Sequence, residues 1–142
     1  MNTSLGHLVA ILHRNNQIYL NTHLKAYGIT SAEVGVLMNL FKEEGKTQEE
    51  LSKWLHIDKA ATTRTVHTLE EKGIIIRKQD DRDHRCNRIF LTEKGKTLET
   101  KVVPVVLAWS DHISKITGKE TYSRLCNDLA SIFTSLKKEP IQ

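Results

Sequence analysis

Much that would declare a function outright is missing from this chain. Its 142 residues hold two cysteines, Cys86 and Cys126, in no CxxC or other zinc-ligand spacing. His84, Cys86 and His112 match no known ligand set, so a resident metal is not expected. No HExxH, G-x-S-x-G, P-loop or GxGxxG pattern occurs, and no nucleophile has an apparent base, which argues against an enzyme and its cofactors. The longest apolar run, VVPVVLAW from Val102 to Trp109, falls far short of the roughly 20 residues a membrane helix needs. The start, MNTSLG, has no basic stretch of the signal-peptide kind, so reduced thiols and a cytoplasmic location are expected. Repeats and low-complexity tracts are absent. Charge of one sign is modest too: the formal net charge is +4, and residues 46–95 carry eleven Lys or Arg against nine Asp or Glu. That excess hints at an acidic partner without naming one, so placement has to decide.

What is present is helical periodicity with clear stops. Residues 4–27 read as a helix on Leu5, Leu8, Val9 and Leu12, resumed by Ile18, Tyr19 and Leu24, with Gly28 as its cap. Thr30-Ser31-Ala32-Glu33 is a capping box for a second helix on Val34, Leu37, Met38 and Phe41. Thr47-Gln48-Glu49-Glu50 opens a short third helix to about Leu55, and Asp58 caps a fourth, Lys59–Lys72, stopped by Gly73. The apolar face of that fourth helix is thin: Thr62, Val66 and Leu69. Residues 74–79 and 88–91 read as two strands of a hairpin. Thr92 starts a long fifth helix that Pro104 should kink. A third box, Thr117-Gly118-Lys119-Glu120, is expected to open a last helix striped by Tyr122, Leu125, Leu129, Ile132, Phe133 and Leu136.

The order α-α-α-α-β-β-α-α predicts a mainly α fold, a winged helix-turn-helix over residues 29–92 flanked by terminal helices, 1–28 and 93–142. Those flanking stripes lack neighbours in one copy, and a two-fold dimer is the common solution. A helix-turn-helix lays its second helix in the major groove of DNA. The small, polar start of the fourth helix suits that: Lys59, Ala60, Ala61, Thr63 and Arg64, with His67 one turn on. Thr63 can bond a base or phosphate, alanine methyls can meet thymine methyls, and Arg64 can fork onto guanine or hold phosphate. The hairpin tip DDRDHRCNR, residues 80–88, interleaves three Asp with three Arg. A tip entering the narrow minor groove gains from arginine, because negative potential concentrates there. On this reading Arg85 projects, Asp83 or Asp81 orients it, and Arg82 and Arg88 serve phosphate contact or the folding of the wing.

These residues resemble a known family. Asp58 to Gly95 is similar to the multiple antibiotic resistance regulator (MarR) family. It carries the family's D-x-x-x-x-T-R-x-x-x-x-L-E-x-K-G helix (Asp58, Thr63, Arg64, Leu69, Glu70, Lys72, Gly73). It also carries the D-x-R-D-x-R wing (Asp80 or Asp81, Arg82, Asp83, Arg85) and the L-T-x-K-G restart (Leu91, Thr92, Lys94, Gly95). The resemblance implies a homodimer joined through its terminal helices, a pseudo-palindromic operator, usually repression, and release by a ligand or an oxidant. Two features depart from the pattern. Ala60 and Ala61 replace more polar residues at the start of the reading helix. The first helix, LHRNNQIY, lacks the reactive cysteine of the peroxide-sensing branch.

A small aromatic or anionic effector is the expected ligand. Arg14, the only arginine before Arg64, could fork onto its carboxylate, with Tyr19 nearby. Oxidation of Cys86 beside Arg85 could disturb the wing, since a neighbouring arginine can lower a thiol pKa. Two other readings stay open: a winged-helix module that contacts protein instead of DNA, and a ligand sensor without operator binding.

Overall fold

The structure is a computed structural model that describes residues 3–142. The chain forms two compact units, one running to Val105 and the other Val106–Gln142. In the first unit the elements are α1 (Leu5–Leu24), a 3-10 turn (Lys25–Tyr27), α2 (Ser31–Lys42), β1 (Lys46–Thr47), α3 (Gln48–Leu55), α4 (Lys59–Glu71), β2 (Ile75–Gln79) and β3 (Asn87–Leu91). α5 (Glu93–Thr117) runs across the division between units, and α6 (Lys119–Lys138) lies in the second. Among the described residues no helix is long and apolar enough to cross a membrane.

Capping explains most of these boundaries. Gly28 takes the left-handed conformation, φ +69°, and ends the first helical segment. Glu33 accepts from the Thr30 amide at 3.2 Å, and Thr47 and Glu50 bond each other's amides at 3.2 and 2.9 Å. The Asp58 carboxylate accepts from the Ala61 amide at 2.7 Å. The third box does not form: Thr117 is the last residue of α5 and its hydroxyl donates to the Ile113 carbonyl. Gly118, at φ +91°, breaks the chain before α6 instead. Pro104 lies inside α5, which stays helical on both sides of it, and the division between units follows one residue later.

The core of the first unit joins α2, α3, α4 and the sheet. Leu37, Leu40, Leu51, Val66, Leu69, Ile74, Ile75 and Ile89 are essentially inaccessible to water. Thr62, Val66 and Leu69 are the buried face of α4, as its thin stripe predicts. The Ser52 hydroxyl donates to Thr62 Oγ1 at 2.8 Å inside the α3–α4 contact, satisfying groups that would otherwise be costly to bury. His56 makes the tight turn between them with a left-handed backbone, φ +56°.

The hairpin is part of a three-stranded antiparallel sheet of order β1-β3-β2, one strand more than the two expected. Lys46 and Thr47 pair with Ile89 and Arg88 of β3, and β2 pairs β3 from Ile75↔Leu91 to Gln79↔Asn87. A two-residue strand carries no readable alternation; the Gly45 amide bonding the Ile89 carbonyl at 2.8 Å brings it alongside β3. Where the sheet returns to helix, Thr92 donates to the Gly73 carbonyl at 2.6 Å and accepts from the Gly95 amide, while Lys94 Nζ reaches the Lys72 carbonyl. The L-T-x-K-G run thus seals α5 onto the end of α4.

Candidate nucleic-acid interface

Asp58 directs α4 outward from its first turn, and burial of Thr62, Val66 and Leu69 decides which side faces solvent. Ala60, Thr63, Arg64 and His67, spaced i, i+3, i+4 and i+7, are all exposed and share that side. Lys59 is exposed at the helix start. Ala61 turns away: it is half-buried and lines a cleft of about 430 Å³ with Thr30, Ala32, Arg64, Thr68 and Lys72. His67 Nε2 meets Glu71 at 3.0 Å, so that face ends on an acid. Thr63 is already engaged: its hydroxyl donates to the Lys59 carbonyl at 2.7 Å and accepts from the Gln48 amide of α3.

The wing tip is two consecutive aspartate turns. Asp80 accepts from the Arg82 amide at 2.8 Å, and Asp83 accepts from the Arg85 amide at 3.1 Å. Each short carboxylate folds the backbone two residues ahead, as Asx turns do. That is the physical content of D-x-R-D-x-R. The Arg82 amide, and then Arg88, hold the Asp80 carboxyl below the usual range; the backbone and side chain of Arg85 do the same for Asp83. Gln79 clasps the His84 carbonyl, and Asp80 N–H meets the Cys86 carbonyl to close the loop.

The three arginines then part ways. Arg88 is structural: Nε meets Asp80 at 2.7 Å and Nη1 meets the Gly45 carbonyl at 2.7 Å, tying the wing to β1. Arg82 is exposed. Arg85 leaves 91% of its side chain in water, with Nε 3.2 Å from Asp83 Oδ1. The supporting acids are therefore Asp83 and Asp80. Asp81, expected as an alternative support, is exposed and makes no hydrogen bond or ion pair among the described residues, because the turn geometry selects the aspartate two residues before each arginine.

Other expected residues are placed differently. Cys86 donates to Asp83 Oδ2 at 3.6 Å, and burial together with the Asp83 charge pushes its thiol pKa up; Arg85 opposes this only weakly. Arg85 therefore does not activate it. Cys126, on α6, is exposed. Arg14 is exposed, whereas the Tyr19 hydroxyl donates to the Val105 carbonyl at 2.8 Å. Five residues apart on a helix, the two are turned roughly 140° from each other and do not form one grip. Gln48 and Asp80 were not singled out from sequence as partners, since Gln48 meets Thr63 across 15 residues and Asp80 meets Arg88 across eight.

Comparison with known proteins decides the family. Residues 29–87 match the MarR family model, spanning α2 to the start of β3. A MarR transcriptional regulator from Methanosarcina mazei Go1 is 34% identical, with a TM-score of 0.86 over 94% of this chain and 96% of that one. The chain belongs to the MarR family. These are helix-turn-helix transcriptional regulators, and this MarR protein is read accordingly as a DNA-binding one. The HTH-type transcriptional regulator BilQ of Clostridioides difficile (strain CD3) is 29% identical over 126 residues, 89% of this chain and 85% of BilQ. The fold is also that of MepR in the S. aureus MepR–DNA complex, with a TM-score of 0.88 at 20% identity over 95% and 100% of the two chains.

Proposed function

We propose that two copies of this MarR protein grip a pseudo-palindromic duplex as a transcriptional repressor. α4 of each copy lies in a major groove and Arg85 enters the neighbouring minor groove. Half-sites would stand about one helical turn, roughly 34–36 Å, apart. The observation that carries this is the wing tip: two aspartate turns hold its backbone, and the Arg85 side chain is left 91% exposed. Arg85 uses only Nε on Asp83, so among the described residues its two Nη groups keep their donors for an outside acceptor. Lys59 and Arg82 supply phosphate contacts, and Arg64 supplies phosphate or guanine contact.

The test is selection of bound duplexes from a random library, followed by gel shift across a salt series. Affinity should fall steeply with salt as counterions are released. Arg85→Ala should weaken binding roughly tenfold or more and leave sedimentation of the free protein unchanged. Failure to retain any duplex, or a salt-insensitive interaction, would point to a protein-binding module.

Release by a small anionic effector is supported by the cleft beside α4. It is lined by the cationic Arg64, which also belongs to the exposed reading face, while the Lys72 charge beside it is already answered by Glu33. A carboxylate seated there would compete with DNA for Arg64, and linkage makes each ligand weaken the other. Addition of salicylate to the protein–duplex complex should then lower the shifted fraction.

A further inference from the structure

The hydrogen bonding of Thr63 narrows what α4 can recognise, granted the reading above that α4 faces DNA. A threonine hydroxyl has one proton and two lone pairs. At Thr63 the proton is spent on the Lys59 carbonyl, 2.7 Å away, closing an i−4 bond within the helix. One lone pair takes the Gln48 side-chain amide from the first turn of α3. The hydroxyl has therefore nothing to donate to phosphate oxygens, to guanine O6 or N7, or to thymine O4, all of which are acceptors. What this exposed residue keeps free is its γ-methyl and one lone pair, which can only accept. Ala60, three residues back on the same exposed face, offers only a methyl as well. Beyond Lys59 at the helix start, the first turn and a half of the reading face thus offers no side-chain proton to the groove until Arg64.

We propose that Ala60 and Thr63 read thymine through methyl–methyl contact, so that each preferred half-site carries thymine at the positions facing them. In the major groove the C5-methyl is the one apolar mark a base pair displays. Gln48 contributes by taking one of the two lone pairs that a base amine could otherwise use.

The experiment uses the full chain and a duplex selected from a random library. Each dT of the half-site is replaced in turn by deoxyuridine, which removes only the C5-methyl. Binding should weaken on the order of fourfold at one or two positions per half-site, the value expected for one buried methyl. Thr63→Val keeps the methyl and removes the hydroxyl, so it should retain the dT-over-dU preference at the position facing Thr63. Thr63→Ser keeps the hydroxyl and removes the methyl, so it should abolish that preference. Equal binding of dT and dU duplexes by the unaltered protein would overturn the proposal while leaving DNA binding intact. So would loss of the preference in Thr63→Val but not in Thr63→Ser. If the unaltered protein retains no duplex, the reading of α4 as a DNA-contacting helix falls and this proposal with it.

Discussion

Gly95 sits where the first turn of α5 passes the end of β2. A Cβ built there would lie 2.2 Å from the Ile74 carbonyl oxygen and 3.0 Å from a Leu91 methyl. The oxygen is backbone and already accepts from the Thr92 amide, so it has little room to yield. Gly95→Ala should therefore cost at least about 2 kcal/mol of stability, a steric penalty of the overpacking kind; urea unfolding measures it, and an unchanged midpoint would refute the argument. The glycine of L-T-x-K-G is a matter of space, not of backbone freedom. Cys86 makes the opposite point about reading chemistry from neighbours in sequence. Arg85 is adjacent, yet burial and the Asp83 carboxylate govern the thiol and hold it protonated. A raised pKa leaves less thiolate at any pH below it. Iodoacetamide should accordingly label Cys86 more slowly than free cysteine at pH 8, and Asp83→Asn should speed the reaction.

Among the elements, α4 is held at both ends. Asp58 and the Ser52–Thr62 pair set its start, and Lys72 sets its finish. Lys72 Nζ lies 2.6 Å from Glu33 Oε1 and 2.7 Å from the Gly28 carbonyl, joining the end of α4 to the start of α2. Only 4% of the Glu33 side chain is exposed, so the carboxylate depends on that partner. Lys72→Met should cost about 3 kcal/mol, the lower end of the range for orphaning one side of a buried pair, because Lys72 itself remains partly in water. Chemical denaturation tests this, and a cost below about 0.5 kcal/mol would show the bridge to be dispensable. Most helix starts were legible because a cap acts on amides three residues away or nearer: Thr30, Thr47, Asp58 and Thr92 all begin helices. Thr117 misled for the same local reason in reverse, since its hydroxyl found the Ile113 carbonyl behind it and Gly118 took the turn. β1 was not legible, because two residues acquire strand geometry only from β3 beside them.

At the scale of the whole molecule, apolar surface is left over in both units. In the first, Leu5, Leu8, Val9 and Leu12 of α1 are exposed; in the second, so are Leu125, Leu129, Ile132, Phe133 and Leu136 of α6, which has no buried residue. A folded chain seldom leaves such stripes wet, and a second copy is the proposed cover. Leu129→Glu with Phe133→Glu should yield a monomer by sedimentation equilibrium with helical content retained, since neither side chain is buried in one copy. Its DNA affinity should fall further than that of Arg85→Ala, because two linked half-sites then act separately. A double variant that still sediments as a dimer would place the interface elsewhere. The order of the helices and the hairpin, the buried face of α4 and the aspartate–arginine rhythm of the wing followed from sequence alone, because periodicity, caps and Asx turns act between residues a few positions apart. That Arg88 answers to Asp80, that Gln48 sits on Thr63, and that Glu33 answers to Lys72 were decided by tertiary structure. Those pairings join side chains as many as 39 residues apart, and only the packing of helix on helix and the pairing of β2 with β3 bring them within hydrogen-bonding distance.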